Sequence, residues 1–136
     1  MSVAQYRDRI TEALNRIWET QIANIEHVAA TMADCIVRGG LVHLFGSGHS
    51  VLPVQDMFPR YGVFPGFRPL MDMRLMWMNV IGSGGAKGLL WLERREGYAS
   101  VLFENEPIRA GDVMMVFSHG GLNAAGIEVL QESKKR

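Results

Sequence analysis

The sequence contains one local pattern twice: a short apolar segment, then a turn rich in glycine and serine, then a segment with helical features. The first copy joins the apolar run 41–45 to the turn 46–50, and the second joins the run 113–117 to the turn 118–123. Apolar runs of this length are typical of strands that a parallel sheet buries on both faces. The pattern therefore predicts an α/β protein in which two buried strands each lead into a turn and a helix.

The segment before the first strand is predicted to be helical. Residues 3–38 contain neither proline nor glycine, and their apolar residues recur every three or four positions. This spacing indicates one long helix, or two with a break near Thr20. The pair Gly39 and Gly40 follows where a helix C-terminus is expected.

Other segments predict the elements between and after the two strands. Residues 71–81 are rich in methionine and tryptophan, which indicates core or interface packing, and 82–85 read as a flexible turn. The further elements are a strand over 67–71, ending at Asp72, and helices over 51–60, part of 89–105, and 122–136. Because no linker or repeat interrupts the chain, a single domain over 1–136 is expected, with 1–38 as its leading helical segment.

The charge balance limits the kinds of partner. Lysine plus arginine and aspartate plus glutamate number 14 each, so the net charge is zero. Such a chain has no basic field for nucleic acid and no polybasic segment for a membrane surface. No uncharged apolar run approaches about 18 residues, and Cys35 is the only cysteine. We therefore expect a cytoplasmic protein without a disulfide, and no residue spacing predicts a metal site or a cofactor.

The two turns have the composition of an anion site. A phosphate needs several N–H donors that converge on one point, and glycine removes the side chains that would block its approach. The first turn of a helix adds unpaired N–H groups, and serine hydroxyls add neutral donors. The predicted phosphate-binding residues are Ser47, Gly48, His49 and Ser50 in the first turn, and Ser118, His119, Gly120, Gly121 and Asn123 in the second.

Two other interpretations fit parts of this pattern. Ser50 and Asn123 have the residue types of ordinary helix N-caps, which would explain them without a ligand. Gly46 and Gly48 match the first two glycines of a dinucleotide-binding turn, and Asp72 lies near the distance of its ribose-binding acid. However, Val51 stands where the third glycine of that turn belongs, and the chain contains no G-K-[ST] sequence for a Walker loop.

The hexapeptide 45–50, Phe-Gly-Ser-Gly-His-Ser, resembles the corresponding turn of the sugar isomerase (SIS) domain family. Within that family the chain is similar to a subgroup of uncharacterised SIS-domain proteins. The further segments that carry this resemblance are 19–21 with 24–25, 92–94, 96–99, 111–113, 123–124 and 127–128.

The resemblance implies a flavodoxin-like α/β/α sandwich with a parallel sheet, a phosphosugar ligand and a homodimer or homotetramer. The family's two phosphate-binding turns correspond here to Ser47, His49 and Ser50 and to Ser118 and Asn123. Gly120 replaces a serine of the second turn, and His119 stands where a small polar residue is commoner.

The similarity covers the front part of an SIS domain, with three strands in the order second, first, third. The chain thus looks truncated after the third strand and its helix. The third strand would then have an open apolar edge, and we expect a partner chain to cover it unless the chain is a truncated or cleaved form.

Isomerisation of a sugar phosphate needs a base that moves a proton between adjacent carbons. The candidate catalytic residues are Glu96, Glu93 and His49, with His119 as a further candidate. The two glutamates also fit surface positions beside Arg94 and Arg95, and the two histidines also fit a role in binding phosphate. Three functions therefore stay open: a phosphosugar isomerase or related lyase, a non-catalytic sugar-phosphate-sensing module, and a dinucleotide-binding fragment.

Overall fold

A computed structural model describes residues 1–58, 61–76 and 84–136 of the chain. The chain divides into two compact units, Met1–Asp34 and Cys35–Arg136. Residues 59–60, which end the predicted second helix, lie outside the described residues. The same is true of 77–83, which hold part of the methionine- and tryptophan-rich segment and part of the predicted flexible turn.

The Met1–Asp34 unit is helical, and its helix α1 spans Val3–Val37 and so ends within the second unit. The N-terminus has a capping box: the Ser2 hydroxyl accepts from the Gln5 amide at 3.2 Å, and the Gln5 side chain accepts from the Ser2 amide at 2.7 Å. The helix continues through Thr20, whose hydroxyl donates to the carbonyl of Arg16 at 2.7 Å. Of the two alternatives that the sequence left open, one long helix is confirmed.

The Cys35–Arg136 unit is built on a parallel sheet with the strand order β2-β1-β3. The strands are β1 (Val42–Gly46), β2 (Phe67–Leu70) and β3 (Val113–Phe117). β1 is central and buried throughout, as its apolar composition predicted, whereas all five residues of β3 are half-buried at the edge of the described sheet. The predicted strands and their order are confirmed.

Helices complete this unit between and after the strands. They are α2 (Leu52–Met57), α3 (Gly85–Leu92), α4 (Tyr98–Glu104) and α5 (Ala124–Ser133). The main core cluster joins Phe45 of β1 and Leu70 of β2 to Phe103 of α4 and Val129 of α5. α2 contacts β1 and β2, whereas α5 contacts β1 and β3. The α/β fold with a parallel sheet is therefore confirmed.

The prediction for the start of α2 was wrong in one respect. Residues His49–Val51 form a 3₁₀ turn, so Ser50 lies inside that turn, and the N-cap of α2 is Val51. Pro53 does occupy the first turn of the helix, as predicted. The apolar residues Val51 and Val54 are buried and draw the short helix onto the sheet.

Candidate functional site

The two glycine- and serine-rich turns leave the sheet at the same edge from neighbouring strands. β1 and β3 are parallel, and Gly46 at the end of β1 is in register with Phe117 at the end of β3. Ser47 and Ser118 are therefore the next residues at this carboxyl edge. In open α/β sheets this edge is where ligands bind.

The first turn folds back so tightly that two of its positions require glycine. A Cβ atom at Gly46 would lie 2.0 Å from the backbone oxygen of Ser50, which is far inside any real contact. Gly48 has φ 57° and ψ −130°, a conformation that is strained for residues with a side chain. The Gly48 amide donates to the carbonyl of Leu75 at 2.7 Å, which ties the turn to the segment after β2.

The second turn connects β3 to α5 and is largely exposed. Its residues Ser118, His119, Gly120 and Gly121 are all exposed, and Asn123 is half-buried. The Ser118 hydroxyl accepts from the Gly121 amide at 2.9 Å, so its own proton stays available for another acceptor.

Glu93 joins the first turn to the start of α5, the helix that follows the second turn. Its carboxylate accepts from the Ser47 hydroxyl at 3.0 Å, while its backbone carbonyl accepts from the Ala125 amide, in the first turn of α5, at 3.0 Å. The residue is only 6% exposed, and a Cβ atom at Gly48 would lie 3.7 Å from the carboxylate. The prediction that Glu93 lies on the surface with an arginine as its partner was wrong. Glu93 lies at the C-terminal end of α3, where it is buried against the first turn.

The other candidate catalytic residues lie elsewhere around this edge. Glu96 is exposed and lines a cavity of about 370 Å³ beside Leu122 and Ala124, which flank the end of the second turn. His49 is exposed within the 3₁₀ turn, and His119 is exposed in the second turn. Of the predicted carboxylates, the structure thus brings Glu93 against a turn serine and leaves Glu96 on the surface.

Neither predicted N-cap uses its side chain as a cap. Asn123 is the N-cap residue of α5, but it makes no side-chain capping hydrogen bond, and Ser50 is not an N-cap. The ordinary capping explanation of these two residues is therefore wrong in its detail.

The dinucleotide interpretation meets a local obstacle at Asp72. One carboxylate oxygen accepts from the Arg74 amide and Nε at 2.8 and 3.1 Å, and the other accepts from Arg74 Nη2 and the Tyr98 hydroxyl. An ionised carboxylate has about four acceptor positions, and these four bonds fill them. Asp72 therefore has no acceptor left for a ribose hydroxyl, and Val51, where the third glycine would stand, is 1% exposed in the core.

The hydrogen bonds around Asp72 also shift the pKa values of Asp72 and Tyr98. Burial raises the pKa of Asp72, but the bonds from Arg74 and Tyr98 outweigh it and hold this pKa below its ordinary value. Burial, together with the bond to the Asp72 carboxylate, raises the pKa of the Tyr98 phenol to about 12. Tyr98 thus stays a hydrogen-bond donor at physiological pH, and the guanidinium of Arg74 lies 5.1 Å from the centre of its ring.

Sequence reasoning missed a buried, hydrogen-bonded histidine–aspartate pair at the opposite edge of the sheet. Asp112 accepts from the amides of Leu41 and Arg109, each at 2.9 Å, and from His43 Nε2 at 3.0 Å. The side chains of His43 and Asp112 are 1% and 5% exposed. Because an aspartate in a polar turn usually faces solvent, the one available signal was a histidine within an otherwise apolar strand.

Across 1–58, 61–76 and 84–136, no three histidine, cysteine, aspartate or glutamate side chains gather where they could hold a metal ion. Within the same described part of the chain, no helix combines the length and the apolar character needed to cross a membrane.

Comparison with known proteins agrees with the sequence resemblance. The profile of the SIS domain family matches residues 5–136. UPF0309 proteins of Oceanobacillus iheyensis, Listeria innocua and Streptomyces coelicolor are 34%, 31% and 32% identical to the chain. These alignments cover 97%, 98% and 96% of the chain but 52%, 52% and 51% of the relatives, so the chain spans about half the length of the curated relatives it matches. On the strength of a profile match over nearly its whole length, the chain belongs to the SIS domain family.

Proposed function

We propose that the chain binds the phosphate group of a sugar phosphate at the carboxyl edge of its sheet, between the turns 46–50 and 118–123. The observation that carries the proposal is the parallel pairing of β1 with β3. Because the two strands end side by side, the two turns begin next to each other. Membership of the SIS domain family supports the same ligand class. Since the net charge is zero, the anion is held by local donors and not by a general positive field.

The donors for this phosphate come from the turns themselves. The amides of Ala125 and Gly121 already donate, to Glu93 and to the Ser118 hydroxyl, so the amide of Gly120 and the hydroxyl of Ser118 are the donors on the second side. The N-terminus of α5 adds the positive end of a ten-residue helix dipole. Ser50 supplies a hydroxyl on the first side.

Ser47 has a double role in this proposal. Its hydroxyl carries one proton, which it donates to Glu93 at 3.0 Å. If a bound phosphate accepts this hydrogen bond instead, the Glu93 carboxylate loses its hydroxyl donor and lies beside the ligand. Ligand binding would then leave an acceptor position of this carboxylate open to the substrate.

Glu93 is accordingly the base that we assign to an aldose–ketose isomerisation. The carboxylate would take a proton from the carbon next to the carbonyl and return it to the former carbonyl carbon through an enediol, while the hydroxyl proton passes to the former carbonyl oxygen. Its burial at 6% exposure keeps bulk water from that carboxylate. Glu96, which is exposed and carries the same functional group, is the matched control.

Ligand-dependent thermal unfolding tests the proposed binding. At a concentration of 100 times the dissociation constant, a ligand adds about 2.7 kcal/mol of stability, or roughly 8 °C in the melting temperature of a chain of this size. We expect this shift with a hexose or pentose phosphate, and little shift with the unphosphorylated sugar or a nicotinamide dinucleotide. Ser118→Ala should reduce the shift, whereas Ser100→Ala, on α4, should leave it intact. Equal shifts with sugar and sugar phosphate would refute a phosphate site.

Turnover then separates an isomerase from the sensing module. If the chain isomerises the ligand that it binds, Glu93→Gln should abolish turnover, while Glu96→Gln should leave it within about threefold. Binding that persists without any turnover in the unsubstituted chain assigns the non-catalytic module. A Glu93→Gln variant with normal turnover would show that the base is another residue. A cytoplasmic location stays part of the proposal.

A further inference from the structure

Tyr98 and Asp72 form a hydrogen-bonded pair that no step of the proposed isomerisation uses. One oxygen of Asp72 accepts from the Arg74 amide at 2.8 Å and so caps the 3₁₀ turn Met73–Leu75, while the other accepts from the Tyr98 hydroxyl. The Asp72 side chain is only 8% exposed. A hydroxyl that donates to a carboxylate makes a charge-assisted hydrogen bond, which is stronger than one between neutral groups. The pair therefore holds the 3₁₀ turn against the start of α4.

The segment that Asp72 caps also holds the first glycine- and serine-rich turn. The Gly48 amide donates to the Leu75 carbonyl at 2.7 Å, and Gly48 forms an isolated parallel bridge with Met76. Leu75 is fully buried and belongs to the main core cluster. The Gly48 amide thus bonds to the protein itself, and this bond sets the path of the turn at a residue whose φ of 57° favours glycine.

Tyr98 itself is held from α5, the helix that follows the second turn. The two carboxylate oxygens of Glu128 accept from the amides of Gly97 and Ala99 at 2.6 and 3.1 Å, one on each side of Tyr98. Ala99 is fully buried. A set of hydrogen bonds therefore leads from α5 through Tyr98 and Asp72 to the first turn.

We propose that Tyr98 is a positioning residue of the anion site: its hydroxyl, through Asp72, fixes the first turn at the distance from the second turn that a phosphate requires. This inference rests on the proposed function for the identity of the ligand. A phosphate that bonds to both turns needs donors from both sides within about 3 Å of its oxygens. Binding groups meet such a requirement when supporting hydrogen bonds hold them to within about 0.5 Å. Tyr98 acts through Asp72 and not by contact with the ligand.

Hydrogen exchange of the ligand-free chain tests whether Tyr98 holds the first turn. Tyr98→Phe removes only the hydroxyl, and we expect the Gly48 amide to exchange about tenfold faster. The reference is the amide of Val42 in the central strand, which donates to the Gly66 carbonyl at 2.8 Å and should change by less than about twofold. A variant that only loses overall stability would speed exchange at Val42 at least as much as at Gly48. That result overturns the proposal, and so does an unchanged rate at Gly48.

A matched control and a double variant test whether Tyr98 acts through Asp72. Tyr61→Phe removes the same group from a fully exposed side chain and should leave exchange at Gly48 unchanged. In the background of Asp72→Ala, which lacks the carboxylate partner, Tyr98→Phe should add no further change. An effect of full size in that background contradicts the proposal. If Asp72→Ala does not fold, the exchange rates of Tyr98→Phe and Tyr61→Phe decide.

Calorimetric titration with a hexose 6-phosphate tests the consequence for the site. Tyr98→Phe should raise the dissociation constant about tenfold, and Tyr61→Phe should change it by less than about twofold. An unchanged affinity in Tyr98→Phe overturns the positioning role. If the unsubstituted chain does not bind the hexose phosphate, the proposed function fails for this ligand, and the exchange rates at Gly48 still decide whether Tyr98 fixes the first turn.

Discussion

Removing the Asp112 carboxylate should strongly destabilise the Cys35–Arg136 unit. This carboxylate accepts three hydrogen bonds, from the amides of Leu41 and Arg109 and from the ring of His43, at 2.9, 2.9 and 3.0 Å. Leu41 directly precedes β1 and Asp112 directly precedes β3, so these bonds join the starts of the two strands whose ends carry the proposed site.

The magnitude follows from what Asp112→Ala leaves behind. His43 is 1% exposed and would lose its hydrogen-bond partner, and a buried donor left without an acceptor costs about 1–3 kcal/mol. The two amides lose a charged acceptor, but water can reach part of that turn. We therefore expect a loss of about 4 kcal/mol in the free energy of unfolding. Asp112→Asn keeps one acceptor oxygen and should cost about half as much.

Urea denaturation followed by circular dichroism measures this loss. With a slope near 2 kcal/mol per molar urea, 4 kcal/mol lowers the midpoint by about 2 M for Asp112→Ala. The control is Asp8→Ala, whose carboxylate is 64% exposed and pairs with Arg7 on the surface, and it should change stability by less than about 0.5 kcal/mol. A loss below about 1 kcal/mol for Asp112→Ala would refute the assignment of these bonds as a structural centre.

Two further predictions concern acid stability and the first turn. Burial raises the pKa of Asp112, but its hydrogen bonds outweigh burial and hold the pKa below the ordinary value, so its stabilisation is complete above about pH 4 and is lost as the pH falls through the lower folded-state value. The free energy of unfolding should therefore fall more steeply below pH 4 in the unsubstituted chain than in Asp112→Ala; parallel curves would contradict this. Gly46→Ala places a Cβ atom 2.0 Å from the Ser50 backbone oxygen, so it should lower the free energy of unfolding by about 3 kcal/mol and abolish ligand binding. The Cβ atom of Gly120→Ala meets nothing within 4 Å, and this variant should fold normally. Equal melting temperatures for the two alanine variants would show that the first turn is not as tight as described.

The strands and the position of the turns could be predicted because they depend on local signals. Uninterrupted apolar residues mark a buried parallel strand, and the glycines of the first turn mark a tight return of the chain. β3 matches its predicted segment 113–117, and β1 starts and ends one residue later than predicted. Both strands could be located because a buried strand has an apolar sequence, which can be read directly.

The contacts of individual polar residues could not be predicted in the same way. Glu93 precedes Arg94 and Arg95, which is the pattern of a solvated helix face, yet α3 ends under the turns and buries it. Asp112 has the sequence context of a surface turn, and its three donors come from residues up to 71 positions away. Such contacts are set by tertiary packing, and local sequence carries little information about them.

The most direct test of the proposed phosphate site is a two-dimensional NMR titration of the isotopically labelled chain with a hexose or pentose phosphate. The proposal predicts that amide signals from both 47–50 and 118–123 shift together, with one dissociation constant, and that the unphosphorylated sugar leaves them in place. Shifts confined to one turn, or two different dissociation constants for the two turns, would contradict a common anion site.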